Sequence, residues 1–205
     1  MSTQGAGFVL FWTYPVPMTD VHNMNHDGAS TVAEVVAHFT DLGVMPTPGQ
    51  IVADIGCGTG LAGFAAIRHV ADASCISIDH PETLNAAKGL AAQIGVENRV
   101  TFRPADSVAL QLENDSAHVV YLNPNYLAQS GKDDVTADRV VEFLRALRHI
   151  VLPGGAVYVR NVGDWKLSGE SLVGLAESAG FDDVVWVNGG GVILRRPPLA
   201  DEDAA

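Results

Sequence analysis

The stretch Asp54-Ile55-Gly56-Cys57-Gly58-Thr59-Gly60 decides the fold of this sequence. Ahead of it, Ile51–Ile55 forms a short apolar run, which is typical of a buried β-strand. Behind it, residues 61–71 are apolar on most faces, as in a helix that packs against a sheet. A glycine-rich turn between a buried strand and a helix lets a ligand approach the backbone closely. The stretch therefore predicts an α/β fold with a ligand site at this turn.

Short apolar runs alternate with helical patterns along the rest of the chain. The predicted strands are 51–55, 75–79, 100–102, 119–122, 156–160, 184–187 and 192–194. Only Asn188-Gly189-Gly190-Gly191 separates the last two, which is too short for a helical crossover, so these two strands run antiparallel. The pattern therefore predicts a doubly wound, mostly parallel seven-stranded sheet that closes with an antiparallel C-terminal hairpin strand.

The chain before the first predicted strand has a different character. Residues 1–29 look irregular and rich in aromatic side chains, and Thr31 with Glu34 forms a capping box that predicts a helix ending near Leu42. We expect three segments: an N-terminal lid or substrate segment with this helix (1–49), a ligand-binding domain (50–196) and a disordered acidic tail (197–205).

Charge and composition exclude several classes of partner. The formal net charge of −12, from 12 basic and 24 acidic residues, argues against nucleic acid, because phosphate binding needs a basic surface. No apolar run approaches the roughly 18 residues that span a bilayer, and no basic residue precedes Arg68 to begin a secretory signal. Cys57 and Cys75 both fall in predicted core segments, which argues against a disulfide. We expect a cytoplasmic protein and leave its oligomeric state open, a homodimer included.

Two cofactors fit the glycines taken alone. Gly58, Gly60 and Gly63 match the dinucleotide pattern G-x-G-x-x-G, and Asp79 follows at about the 20-residue distance of a ribose-binding acid. However, Asp54 stands at the strand end before the glycines, where it would repel a pyrophosphate. The same carboxylate would suit the cationic amino-acid portion of a sulfonium cofactor, which favours the second type of ligand.

The segment Val52–Gly60 resembles the first motif of the class I S-adenosylmethionine-dependent methyltransferases. That family has a Rossmann-like sheet that ends with an antiparallel seventh strand, as predicted here. The resemblance implies that S-adenosyl-L-methionine is the cofactor and lies over the turn. The implied contacts along the turn are Asp54, Gly56, Cys57, Gly58 and Gly60.

The resemblance also assigns cofactor contacts beyond the turn. It implies that Asp79 accepts hydrogen bonds from both ribose hydroxyls and that His80 stacks on the adenine, where the family usually has an apolar residue. Ala105-Asp106-Ser107 resembles the adenine-contacting segment, with Asp106 accepting from the exocyclic amine. A solvated loop aspartate is the alternative interpretation for both Asp79 and Asp106.

Asn123-Pro124-Asn125-Tyr126 is the first candidate for the acceptor site. It resembles the N-P-P-Y motif of methyltransferases that act on amide or amino nitrogen. The resemblance implies that Asn123 orients the acceptor nitrogen beside the cofactor and that Tyr126 stacks on its plane. Asn125 departs from the second proline of the motif, and an ordinary Asn-Pro turn is the alternative.

His22 and His26 are the second candidates for catalysis. They lie with Asp20 and Asp27 in a short polar stretch that could form a lid over the acceptor. A polar loop is the alternative, and we predict no metal site.

The sequence therefore predicts an S-adenosylmethionine-dependent methyltransferase for a small molecule, with the acceptor atom (O, N or C) open. Two other classes stay possible on the residues alone. One is a protein of this fold without transferase activity, either a cyclase or a binding module. The other is a nicotinamide-dependent oxidoreductase that uses the same glycines.

Overall fold

The computed structural model describes residues 8–11, 14–17, 27–104, 112–122, 136–160, 169–187 and 191–199. Its strands are β1 (Phe8–Phe11), β2 (Tyr14–Pro17), β3 (Ile51–Ile55), β4 (Ser74–Asp79), β5 (Val100–Pro104), β6 (Ala117–Leu122), β7 (Val151–Val159), β8 (Asp183–Val187) and β9 (Gly191–Arg195). Its α-helices are α1 (Asp27–Asp41), α2 (Leu61–Arg68), α3 (Pro81–Ile94), α4 (Ala137–Ile150) and α5 (Gly169–Ser178), and Glu97–Arg99 is a 3₁₀ turn. Within these ranges no helix is both long and apolar enough to cross a membrane.

The main sheet has seven strands in the order β5-β4-β3-β6-β7-β9-β8. The strands from β3 to β7 pair in parallel, whereas β9 is antiparallel to both β7 and β8. The predicted doubly wound sheet with one reversed strand is therefore confirmed. The order of strands reverses between β3 and β6, and ligands of such sheets bind beyond the carboxyl ends of the strands at this point.

Helices cover both faces of the sheet, so its central strands are buried on both sides. On one face, α4 and α5 pack through Leu144, Leu147 and Leu172. On the other face, α1, α2 and α3 pack through residues such as Phe39 and Phe64. The sheet is thus a rigid support for the turn between β3 and α2.

The N-terminal expectations are partly wrong. β1 and β2 form a two-stranded antiparallel hairpin in a stretch that the sequence pattern marks as irregular. Trp12-Thr13, between these strands, lacks the glycine or asparagine that identifies a tight hairpin turn, and proline is unusual inside strands. The helix α1 begins at Asp27, so Thr31 lies inside it and the proposed capping box does not start it.

The strand β7 also begins earlier than predicted, at Val151 rather than Ala156. The Pro153-Gly154-Gly155 sequence looks like a loop, but it runs along β6 across an irregularity where the register shifts between Ala117 and Val119. A Cβ on Gly155 would lie 2.6 Å from the carbonyl oxygen of His118, so only glycine permits this close approach.

Candidate functional site

The turn that follows β3 is built from glycines in the left-handed region. Gly56, Gly58 and Gly60 have φ angles of 68°, 59° and 81°, which other residues adopt at a cost. The backbone N–H groups of Gly56 and Cys57 donate to the carbonyl of Ile78 at 2.8 and 3.1 Å. These bonds fix the turn to the carboxyl end of β4.

The glycines of the turn differ in what surrounds them. A Cβ on Gly60 would lie 2.2 Å from the ring of Phe64, so this glycine makes room for the first turn of α2. A Cβ on Gly58 would meet nothing within 4 Å. The backbone at Gly58 therefore faces open space, where a ligand can approach.

Asp79 connects this turn to the end of β4. It is 8% exposed, and its Oδ2 accepts from the N–H of Gly58 at 2.8 Å. Its Oδ1 accepts from the N–H of His80 at 2.7 Å. Each carboxylate oxygen has a second acceptor site, so Asp79 can brace the turn and still bind hydroxyl groups.

Asp54 lies beneath the turn and is 4% exposed. Its Oδ2 accepts from the N–H of Gly63 at 3.0 Å, in the first turn of α2. Burial raises the pKa of Asp54 to about 7, although the bond from Gly63 lowers it, and the nearby charge of Asp79 raises it further. A buried carboxyl group that ionises near neutral pH beside a ligand turn is typical of a functional site.

Gly63 has a role that the sequence pattern does not reveal. A Cβ there would lie 2.6 Å from the Sγ of Cys75 and 3.1 Å from the Oδ2 of Asp54. Glycine therefore lets α2 approach β3 and β4 closely enough for its N–H to reach Asp54. The only sequence signal for this residue was the spacing of the G-x-G-x-x-G pattern, which points to a different cofactor.

The two cysteines are free thiols. Burial raises the pKa of both Cys57 and Cys75, and the charge of Asp54 adds to this effect. Cys57 therefore stays protonated at neutral pH and is a packing residue of the turn, without the reactivity of a thiolate nucleophile.

Of the remaining predicted site residues, the structure describes only His80. His80 is exposed and stands directly before α3. The other candidates lie outside the described residues: Ala105, Asp106, Ser107, Asn123, Tyr126, His22 and His26.

The strand register places the last described residue before each of two of these segments. Pro104 pairs with Asp79 at the end of β4. Leu122 pairs with Ile55, the residue that precedes the glycine turn. Among the described residues, no group of three or more His, Cys, Asp or Glu side chains could hold a metal ion.

Comparison with known proteins gives the family. Residues 52–155, about half of the chain, match the sequence profile of the methyltransferase domain family. This chain belongs to that family. The match contains the glycine turn, Asp54 and Asp79, and it argues against the nicotinamide interpretation of the same glycines.

Two curated methyltransferases are similar in sequence. The chain is 34% identical over 110 residues to "Ribosomal RNA large subunit methyltransferase G" of Pseudomonas syringae pv. tomato, which covers 53% of this chain and 28% of that protein. It is 27% identical over 163 residues to a Mycobacterium avium protein named as an O-methyltransferase, covering 74% of this chain and 68% of that one. The chain thus spans little more than a quarter of the first relative.

Solved structures of methyltransferases share the fold. An O-methyltransferase family 2 protein from Planctomyces limnophilus, solved with apigenin, superposes with a TM-score of 0.61 at 18% identity. The match covers 88% of this chain and 61% of that protein. At this identity, the likeness establishes the same mixed seven-stranded architecture for this methyltransferase domain.

The turn of this methyltransferase domain fits the cofactor of its family. The open space over Gly58 admits a ligand to within contact distance of the backbone. The two buried carboxyl groups, Asp54 and Asp79, are acceptors of the kind that a cationic amino-acid end and ribose hydroxyls require. S-adenosylmethionine carries both of these groups, a cationic amino-acid end and ribose hydroxyls. No residue of the turn conflicts with its binding.

Proposed function

We propose that the protein is an S-adenosylmethionine-dependent methyltransferase that acts on a small-molecule acceptor. One observation carries the proposal: the glycine turn after β3 presents open backbone between two buried carboxyl groups, Asp54 and Asp79. Membership of the methyltransferase domain family supports this interpretation of the turn.

Each described residue of the turn has a proposed task. Asp79 binds the two ribose hydroxyls while the N–H groups of Gly58 and His80 hold its carboxylate in place. Asp54 faces the cationic amino-acid end, and His80, at the surface, stacks on the adenine. Bound there, the cofactor supplies a methyl group on a sulfonium, which is already activated for displacement. The protein therefore mainly contributes positioning and the exclusion of water.

The acceptor is proposed to bind beyond the end of β6. Leu122, the last described residue of β6, pairs with Ile55 directly before the glycine turn, which supports this proposal. We propose that Asn123 contacts both cofactor and acceptor and that Tyr126 stacks on the acceptor. We also propose that His22 and His26 reach the acceptor from the N-terminal segment. Replacing Asn123 with Ala should lower kcat more than it raises KM, whereas an unchanged kcat would exclude this residue from catalysis.

A small acceptor fits the charge better than RNA does. The first relative is named for ribosomal RNA, but the net charge of −12 would repel phosphates. Two of the compared proteins are named as O-methyltransferases, so a hydroxyl oxygen is the first acceptor atom to test. Nitrogen is the second, because Asn123-Pro124-Asn125-Tyr126 resembles a nitrogen-methylation motif.

Radiolabelled cofactor tests this proposal directly. The protein is incubated with S-adenosylmethionine that carries a tritiated methyl group, together with a metabolite extract fractionated by size and charge. We expect label in a small-molecule fraction, and its release by mild alkali or acid then distinguishes esters from ethers and amines. A variant with Asp79→Asn should label weakly, whereas Asp72→Asn, at an exposed position outside the site, should label like the wild type.

The alternatives give different outcomes in the same assay. Binding of S-adenosylmethionine without transfer of label to any fraction would indicate a protein of this fold without transferase activity, either a cyclase or a binding module. Label found only in added RNA would overturn the small-molecule assignment. Tight binding of NADH together with no affinity for S-adenosylmethionine would overturn the cofactor assignment.

A further inference from the structure

The carboxyl group of Asp54 is held from one side only. In the described part of the chain, its single hydrogen bond comes from the N–H of Gly63, and this bond reaches Oδ2. The absence of a side chain at Gly63 makes the contact possible, because a Cβ would collide with Cys75 and press on Asp54. Gly63 therefore fixes the direction of the carboxyl group and leaves Oδ1 without a hydrogen bond.

The ionisable groups around Asp54 all have acidic character. They come from the turn, from β4 and from β6, namely Cys57, Cys75, Asp79 and Tyr121. The helix α2 contributes the N–H of Gly63 and no charged side chain to this contact. Among the described residues, no lysine, arginine or histidine forms an ion pair with Asp54.

In these surroundings the ionised form of Asp54 is unfavourable unless a cation lies nearby. The pKa values of the half-buried Cys57 and of the buried Cys75 and Tyr121 are all raised, so these three groups stay neutral. Asp79 is then the charge that acts on Asp54, and it has the same sign. A positive group above the turn would supply the attraction that the described residues do not provide.

We propose that Asp54 couples cofactor binding to the release of a proton, with Gly63 as its positioning residue. This inference rests on the proposed function, because the cation in question is the ammonium group of S-adenosylmethionine. In the free protein near pH 6, Asp54 carries a proton. When the cofactor binds, the O–H bond of the carboxyl group breaks, the proton passes to the buffer, and the carboxylate pairs with the ammonium group.

The coupling predicts how affinity changes with pH. The pKa of Asp54 in the free protein is about 7, and pairing with a cation lowers it. Linkage, with an amino-group pKa of about 8 for the cofactor, then predicts a Kd about sixfold higher at pH 6.0 than at pH 7.5. It also predicts a net release of roughly 0.9 proton per cofactor at pH 6.0 and of about zero at pH 7.5, where the amino group takes up a proton on binding. Higher pH is avoided because the amino group of the cofactor loses still more of its proton there.

Titration calorimetry of the full chain with S-adenosylmethionine tests both numbers. Each pH is measured in two buffers of different ionisation enthalpy, so that the difference in heat counts the released protons. In Asp54→Asn, which keeps the shape of the side chain, affinity should be lower at pH 7.5 and nearly constant between the two pH values. The Asp72→Asn variant should keep the wild-type profile.

Two further variants separate Asp54 from its neighbours. His80→Gln removes the exposed imidazole beside Asp79, and the pH dependence should persist in this variant. Gly63→Ala should displace the carboxyl group, so that Kd rises at pH 7.5 and the proton count falls. A wild-type Kd that does not vary with pH, or a pH dependence that disappears in His80→Gln, would overturn the inference and leave the proposed function intact. The absence of any binding heat at both pH values would overturn the two together.

Discussion

The two edges formed by the ends of the parallel strands differ in how their partly or fully buried charged side chains are paired. Where the strands begin, Arg99 donates to the carbonyls of Ile67, Val70 and Ala73 at 2.7, 2.9 and 3.2 Å. Where the strands end, Asp54 accepts one N–H, and no basic side chain of the described residues pairs with it. We call these the starting edge and the finishing edge.

Arg196 repeats the pattern at the starting edge. Its guanidinium group donates to the carbonyls of Arg148 and Val151 at 3.1 and 2.6 Å and also pairs with Asp115. Both arginines satisfy carbonyls that a helix or a turn leaves open, so their charges serve the fold. Among the described residues, the charge of Asp54 has no such partner. The two arginines are thus satisfied within the protein, whereas in the proposed function the charge of Asp54 is left for a ligand.

Removing an arginine from the starting edge should give the largest change in stability. Arg99→Met leaves three partly buried carbonyls around the end of α2 without their donor, and we expect it to lower the free energy of unfolding by roughly 3 kcal/mol. Denaturant unfolding measures this loss. The same calorimetry as above should find the cofactor Kd unchanged in the folded variant. Arg145→Met, at an exposed position of α4, should cost less than about 0.5 kcal/mol. An equal loss in both variants would contradict the contrast between the edges.

At the finishing edge, the absence of a described cationic partner for Asp54 should make the free energy of unfolding depend on pH. In the unfolded chain the pKa of Asp54 is near the ordinary aspartate value of 3.8, but burial in the folded protein raises this pKa to about 7. The folded state thus holds the proton more tightly, and stability falls as the pH rises from 4 to 7. Between pH 5 and pH 8 this loss is about 3 kcal/mol at most.

Asp54→Asn removes the titrating group, so it should also remove the contribution of Asp54 to the fall in stability with rising pH. Denaturant unfolding at pH 5 and pH 8, without cofactor, measures the difference between wild type and variant at each pH. The variant should gain stability relative to the wild type at the higher pH. If the difference in the free energy of unfolding between wild type and variant is the same at both pH values, Asp54 is not protonated in the folded protein at pH 5.

The sequence predicts the sheet well because its signals are local. Each strand of the main sheet contains a short apolar run, and Asn188-Gly189-Gly190-Gly191 alone implies the reversal of β9. The errors arise where long-range packing decides the outcome. Gly155 belongs to β7 because it must approach His118, and no local pattern shows this.

The same division holds at the site. The glycines and Asp79 are predictable from their spacing, since a turn and a strand end have fixed positions in this fold. The bond between Gly63 and Asp54 is different, because it depends on how closely α2 packs on the sheet. The raised pKa of Asp54 also needs the structure, since burial is its main cause.

A substitution of Asp79 tests whether the finishing edge binds the cofactor, and we expect a smaller change in free energy than in the stability experiments. Asp79→Asn keeps an oxygen for the N–H of one neighbour but removes the charge and one acceptor. We expect cofactor affinity to fall by about 1–3 kcal/mol, because ribose hydroxyls and the N–H of Gly58 or His80 then lack a partner. Calorimetry at pH 7.5 gives the value, and circular dichroism checks that the variant is folded. Unchanged affinity would exclude Asp79 as the ribose ligand.

Substitution of Gly58 by alanine should give the smallest effect at the finishing edge, and one that is selective for cofactor binding. Its φ of 59° makes Gly58→Ala cost about 1 kcal/mol of stability, and the new methyl group meets no protein atom within 4 Å. That methyl group would occupy the space through which the cofactor approaches the backbone, so Kd should rise about tenfold, or roughly 1.4 kcal/mol. Gly89→Ala is the matched control, because its Cβ also meets nothing within 4 Å but lies on the exposed side of α3. Gly89→Ala should bind the cofactor like the wild type and gain some stability. Wild-type affinity in Gly58→Ala would mean that the open space over this turn does not hold the cofactor, and the finishing edge would then lack the ligand that distinguishes it from the starting edge.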